Sequence, residues 1–135
     1  MTNSSDPQPP KTVLVVDDEP SIRALYQMAF AHSGYTVRAA SSGEEALEFL
    51  SIQPAQIIFL DLNLPGIKGV DLCGKILEEW PETRMIAISG NLKAFGEAEC
   101  KAAGFSRVLP KPIQLMDLLN AAKEEAAAPS NPNDG

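Results

Sequence analysis

Short, wholly apolar runs alternate along this chain with stretches whose apolar residues recur every three or four positions. The runs VLVV (13–16) and IIFL (57–60) have no polar partner positions, the pattern of strands covered on both faces. Strands are predicted at Thr12–Val16, Thr36–Ala39, Gln56–Leu60, Arg84–Ile88 and Arg107–Leu109.

Helical spacing fills the gaps. Pro20 suits a first turn, and Ile22, Leu25, Tyr26 and Ala29 follow at helical spacing before Gly34. Ser42 is placed to cap a second helix through Ala46, Leu47 and Leu50, with Glu44 and Glu45 in its dipole-favoured first turn. A third is predicted from about Gly69 through Leu72, Ile76 and Leu77 to Trp80, where Pro81 stops it. The fourth, between Leu92 and Ala103 before Gly104, is mostly small and polar and contains Gly96. The fifth follows Pro112 through Leu115, Leu118 and Leu119.

Strands alternating with helices, five of each, predict an α/β domain: a parallel sheet with helices on both faces, joined by right-handed crossovers. Ligands in such sheets bind beyond the carboxyl ends of the strands, near a topological switch point. The residues that follow each strand are therefore where chemistry is expected.

The chain has 135 residues, 44% of them hydrophobic and 21% charged, enough for one domain with its own core. Its formal net charge of -7 argues against gripping phosphate backbones, so no nucleic-acid partner is expected. No apolar run reaches the length of a membrane span, and MTNSSDPQPP lacks the basic and apolar regions of a signal peptide. No membrane association and a cytoplasmic location are expected. Cys73 and Cys100 have no CxxC spacing and no neighbouring histidine, which points to reduced thiols rather than a zinc site. Residues 1–10 and 126–135, rich in Pro, Ser, Asn and small residues, read as flexible ends.

The strand ends collect a coherent set of groups. The first strand runs into Asp17, Asp18 and Glu19; the third ends in Asp61; the fourth in Ser89; the fifth in Lys111 followed by Pro112. Converging carboxylates suit a hard cation with oxygen ligands, and Mg2+ suits an open site that keeps some waters. A lysine ammonium and a serine hydroxyl beside it suit phosphoryl oxygens, and a carboxylate in such a cradle is a candidate nucleophile. Singly, each residue has a plainer role: Asp18 as a helix cap, Lys111 as a solvated surface lysine. The argument for chemistry rests on four strand ends agreeing.

These segments resemble the receiver domain of two-component response regulators. VLVVDDEPSIR is similar to that family's first strand and acidic pair, IIFLDLNLPGIKGVDL to its phosphoacceptor strand and loop, MIAISGN to its switch-hydroxyl strand, and GFSRVLPKP to its closing lysine–proline segment. The likeness implies a five-stranded sheet in the flavodoxin-like order 2-1-3-4-5 and a receiver domain over residues 11–125. It implies that Asp61 accepts a phosphoryl group from phosphohistidine of a histidine kinase or histidine phosphotransfer protein. Asp18 and Asp61 would bind Mg2+ directly, Asp17 through water, and the backbone carbonyl of Asn63 would complete the protein ligands. Ser89 would hydrogen-bond the phosphoryl group and Lys111 would pair with it, with a cis Lys111–Pro112 bond. Asn63 and Asn91 match positions that tune dephosphorylation. The chain would signal by contact with a downstream protein, not as an enzyme in the usual sense; the short polar tail after the fifth helix fits either a stand-alone regulator, the favoured reading, or a receiver cut from a longer protein.

One position departs from the family pattern. Three residues before the lysine the family usually carries Tyr or Phe; here it is Val108, short and stiff at χ1. Output would then pass through the loop after Ser89 and the fourth helix. Two other readings use the same residues: a haloacid-dehalogenase-type Mg2+-dependent phosphatase, which Asn63 in place of a general acid argues against, and an interaction module whose switching has decayed at Val108. Met28, Met85 and Met116 are expected in the core, and His32 near the end of the first helix, where its ring suits the dipole.

Overall fold

The computed structural model describes residues 11–90 and 96–127. Five strands, β1 (Thr12–Val16), β2 (Thr36–Ala40), β3 (Ile57–Asp61), β4 (Arg84–Ser89) and β5 (Phe105–Pro110), alternate with five helices. The helices are α1 (Pro20–Ala29), α2 (Gly43–Ile52), α3 (Gly69–Glu79), α4 (Glu97–Ala103) and α5 (Leu115–Ala127). All strand pairings are parallel and the sheet order is β2-β1-β3-β4-β5. This is the predicted doubly wound arrangement.

The pleat explains why β1 and β3 are apolar throughout. Alternate residues point to opposite faces, and each face meets helices. Val13, Val15, Ile57 and Phe59 pack with Tyr26 of α1, Phe30 at its C-cap, and Leu118, Ala121 and Ala122 of α5. Leu14, Val16, Ile58 and Leu60 pack on the other side with Ala46 and Leu50 of α2, Leu72, Cys73 and Ile76 of α3, and Cys100 of α4. Tyr26 and Phe30 both tilt against Phe59, with ring centroids 5.4 and 6.0 Å away. Burying each such side chain contributes about 1.5–3 kcal/mol.

The cap chemistry is local. Ser42 accepts from the Glu45 amide at 3.1 Å, while the Glu45 carboxylate accepts from the Ser41 amide at 2.6 Å, tying the first turn of α2 to its approach. Glu19, not Asp18, is the N-cap of α1; its side chain makes no capping bond and Pro20 begins the helix. Trp80 ends α3 and packs against the α2–α4 core, as expected of a helix-end residue. The Lys111–Pro112 bond is cis.

Several expectations are corrected. β5 begins at Phe105, two residues before the predicted start, because Ser106 is the extra residue of a register shift opposite Met85 and Ile86. That bulge breaks the period-two pattern, so buried Phe105 could not be recognised as strand. Helix α5 runs to Ala127, two residues into the stretch read as a flexible end. Of the fourth helix, Glu97–Ala103 is helical, and residues 91–95, with Asn91, lie outside the described residues, as do 1–10 and 128–135. Met85 is buried, but Met28 and Met116 are 68% and 62% exposed and fill no core. The spacing rule placed them on apolar faces, yet α1 and α5 each bury a stripe narrower than their apolar residues span. His32 follows the C-terminal end of α1, three residues after Ala29. Cys73 and Cys100 are both buried, and neither forms a disulfide.

Candidate functional site at the carboxyl edge

β1 and β3 are neighbours at the centre of the sheet, with Val16 paired to Leu60, so the residues that leave both strands emerge side by side. Asp17, Asp18 and Asp61 thereby offer three carboxylate oxygens within 4.8 Å of one another. β4 lies on the other side of β3, with Ile88 opposite Asp61 and Ser89 one residue beyond. β5 brings Pro110 opposite Ser89, which carries Lys111 to the same edge. The convergence read from four strand ends is present: the carboxylates and Lys111 meet directly, and the register carries Ser89 and Asn63 to the same edge.

Each group is held by short bonds that follow from its place at a strand terminus. The Asp17 amide donates to the Ala40 carbonyl at 3.0 Å, extending the β1–β2 ladder by one residue. Asp17 Oδ1 accepts the Glu19 amide at 2.9 Å, and Asp61 Oδ1 accepts the Asn63 amide at 2.9 Å, so both aspartates form the same turn with the residue two positions on. The other oxygen of Asp61, Oδ2, accepts Lys111 Nζ at 3.0 Å. Asp17 Oδ2 is buried with no hydrogen-bond partner. Ser89 is buried and Asn63 and Asp18 are exposed, so the site is walled on one side and open on the other. Gly90 keeps this edge tight: a Cβ there would lie 3.4 Å from Lys111 Cδ.

The electrostatics follow from burial. Asp17 is 1% exposed, and its carboxyl is pushed up from 3.8 to about 6. Desolvation is the largest cause; the charges of Asp61 and Asp18 add to it, while the Glu19 amide and Lys111 oppose it. Such a cluster of oxygen donors, with one buried carboxylate oxygen left unpartnered, fits a hard divalent cation such as Mg2+. A cation would supply the missing partner and relieve the mutual repulsion.

Two residues of this neighbourhood were not singled out by motif reasoning. Tyr26, read as a packing residue of α1, is fully buried and has its hydroxyl pushed up by burial first and then by the charges of Asp17 and Asp61. Arg23 sends Nη1 back to the Asp17 carbonyl at 2.8 Å. The available signal was position: Arg23 lies one helical turn from the start of α1, within reach of the loop that carries the acidic pair.

Comparison with known proteins agrees with this geometry. A sequence description of the response regulator receiver domain matches residues 13–123. The alkaline phosphatase synthesis transcriptional regulatory protein PhoP of Bacillus subtilis is 31% identical over 126 residues, covering 90% of this chain and 52% of that protein. The transcriptional regulatory protein KdpE of Mycobacterium tuberculosis is 32% identical over 107 residues, 79% of this chain and 47% of that protein. The chain spans about half the length of the curated relatives it matches. Among solved structures, a CheY-like receiver domain protein from Methanospirillum hungatei superposes with a TM-score of 0.81 at 26% identity, covering 87% of this chain and 94% of that one. The chemotaxis response regulator CheY4 of Vibrio cholerae gives 0.79 at 26% identity, covering 87% and 99%.

Proposed function

This chain belongs to the response regulator receiver domain family, and on that premise we propose that Asp61 is its phosphoacceptor. The observation that carries the proposal is the pairing of Asp61 Oδ2 with Lys111 Nζ at 3.0 Å, beside the carboxylates of Asp17 and Asp18. A nucleophile needs one free approach and a means of dispersing charge, and this arrangement supports both. The lysine steadies one oxygen of Asp61, and the open side of the site admits a donor.

The donor is phosphohistidine of a histidine kinase or histidine phosphotransfer protein. A carboxylate oxygen of Asp61 attacks the phosphorus, the phosphorus–nitrogen bond breaks, and the imidazole nitrogen keeps the bonding pair. Lys111 transfers its ion pair to the phosphoryl oxygens and Ser89 donates its hydroxyl to another. Asp17, Asp18, Asp61 and the backbone carbonyl of Asn63 would hold Mg2+, which supplies positive charge against the phosphoryl oxygens. Loss of the phosphoryl group to water completes a self-catalysed cycle; the family consists of regulators, and turnover of an external phosphate ester is not part of this reading. Residues 11–125 form the receiver unit, with α5 continuing to Ala127. Output runs through protein contact, and the net charge of -7 supports that over phosphate-backbone binding. Among the described residues no helix is long and apolar enough to cross a membrane.

Incubation with acetyl phosphate and Mg2+, followed by intact-mass measurement, tests the assignment. Wild type gains one acid-stable, base-labile phosphoryl group, and Asp61→Asn gains none. Equal incorporation in the variant would place the acceptor elsewhere.

A further inference from the structure

We propose that Arg23 is a positioning residue for the cation site, holding the β1–α1 loop so that Asp17 presents its unpartnered oxygen. The inference rests on the reading of Asp17, Asp18 and Asp61 as a Mg2+ site. Asp17 is fixed at three points: its amide on the Ala40 carbonyl at 3.0 Å, its Oδ1 on the Glu19 amide at 2.9 Å, and its carbonyl on Arg23 Nη1 at 2.8 Å. The first two come from the strand ladder and a local turn. The third reaches in from α1 and is the one made by a side chain beyond that turn. With these in place Oδ2 is the oxygen left buried and unsatisfied.

Arg23 also borders the neighbouring loop. Glu45 of α2 holds the Ser41 amide at 2.6 Å and the Ser41 hydroxyl at 3.0 Å, next to the residue whose carbonyl receives the Asp17 amide. Those two bonds from Ser41 are the main reason the Glu45 carboxyl sits below its ordinary range, and the charge of Arg23 adds to them. The guanidinium is thus hydrogen-bonded to the loop that bears the acidic pair, and its charge also acts on the carboxylate at the start of α2.

Two roles for Arg23 predict opposite signs, which makes the inference testable. A positive charge near three carboxylates, acting by its field alone, opposes cation binding, so its removal would tighten Mg2+. A positioning group favours binding through the ligand it holds, so its removal weakens Mg2+. Residues that orient metal ligands characteristically change affinity by about 10–100-fold. Arg23 holds a main-chain carbonyl rather than the ligating group, so the low end, about tenfold, is expected.

The experiment is a calorimetric Mg2+ titration of wild type and Arg23→Gln in buffer free of phosphodonor, with circular dichroism to verify folding at the temperature used. About tenfold weaker binding by folded Arg23→Gln supports the inference; equal or tighter binding overturns it. If Arg23→Gln does not fold, Arg23→Lys is read instead: it keeps the charge, so unchanged affinity overturns the positioning role and weakened affinity supports it. Wild type that binds no Mg2+ removes the cation site and this inference with it. Wild type that binds while Arg23→Gln is unchanged leaves the site standing and removes Arg23 alone.

Discussion

Asp17 makes a measurable prediction in the absence of any cation. Its carboxyl is 1% exposed and titrates at about 6 in the folded protein, against 3.8 for an ordinary aspartate. At about 1.4 kcal/mol per pH unit, keeping it ionised in the metal-free fold costs about 3 kcal/mol at neutral pH. The sign follows from linkage. Between the two values the folded chain holds the proton and the unfolded chain does not, so stability falls as pH rises from about 4 to about 6.5 and is level beyond. Asp17→Asn removes the charge while its amide oxygen still accepts the Glu19 amide, and its NH2 group gains two acidic neighbours as acceptors. In EDTA at pH 7.5 the variant should be more stable than wild type by about 1–3 kcal/mol, a rise in Tm of about 4–12 °C for a domain of this size. The gap should shrink by a similar amount as pH is lowered to 4. Mg2+ narrows the gap: at ten times its Kd it stabilises wild type by about 1.4 kcal/mol and should do little for the variant. Urea melts at pH 4, 6 and 7.5, with and without Mg2+, decide the matter. A variant less stable than wild type in EDTA at pH 7.5, or a gap independent of pH, would refute the reasoning.

Two further substitutions test the frame around the site. Gly104 ends α4 at φ +118°, and a Cβ there would overlap Leu77 Cδ1, so Gly104→Ala should cost about 2–4 kcal/mol by urea denaturation; a cost under about 0.5 kcal/mol would mean that α3 yields freely. Glu125 is buried and pairs with Arg107 Nε at 2.7 Å and with Arg84 Nη1 at 3.8 Å. Glu125→Gln keeps its shape but not its charge and should lower stability by about 1–3 kcal/mol, with a smaller loss in high salt than an exposed pair would show.

How far these features could be read in advance depended on whether they were local. The strands that lie inside the sheet, β1, β3 and β4, were recognisable within a residue or so at each end, because burial on both faces leaves no polar positions to confuse the pattern. The edge strand β5 was read short because the bulge at Ser106 shifts the inward face by one residue, and its residues 106–109 are only partly covered or exposed. At the site, Asp17, Asp18, Asp61, Ser89 and Lys111 all sit at strand ends, and strand ends are fixed once the strands are. Arg23 and Tyr26 were missed because nothing in a linear motif says which carbonyl a helix side chain reaches back to, or that a tyrosine on a packing stripe lies beneath two carboxylates. Met28 and Met116 failed in the opposite direction. A helical period identifies a face, but how much of that face is covered depends on how closely α1 and α5 approach one another, a tertiary quantity.

Val108 bears on how a charge placed on Asp61 could be felt elsewhere. The residue is half-buried and packs against the core shared with α2, α3 and α4, and its branched side chain has one comfortable rotamer in which to do so. Arg107, pointing to the other face of β5, is tied to Glu124 and Glu125 of α5. Both faces of the strand are thus committed to neighbours, and neither offers a large ring able to swing between an inner and an outer position. The main chain offers a different link. The Lys111 amide donates to the Ser89 carbonyl at 3.0 Å, while Lys111 Nζ holds Asp61 at 3.0 Å. A phosphoryl group that drew Lys111 away from Asp61 would pull on β4 through that amide, at Ser89. Coupling of this kind needs no rotation at position 108, so an aliphatic residue there is compatible with a working receiver.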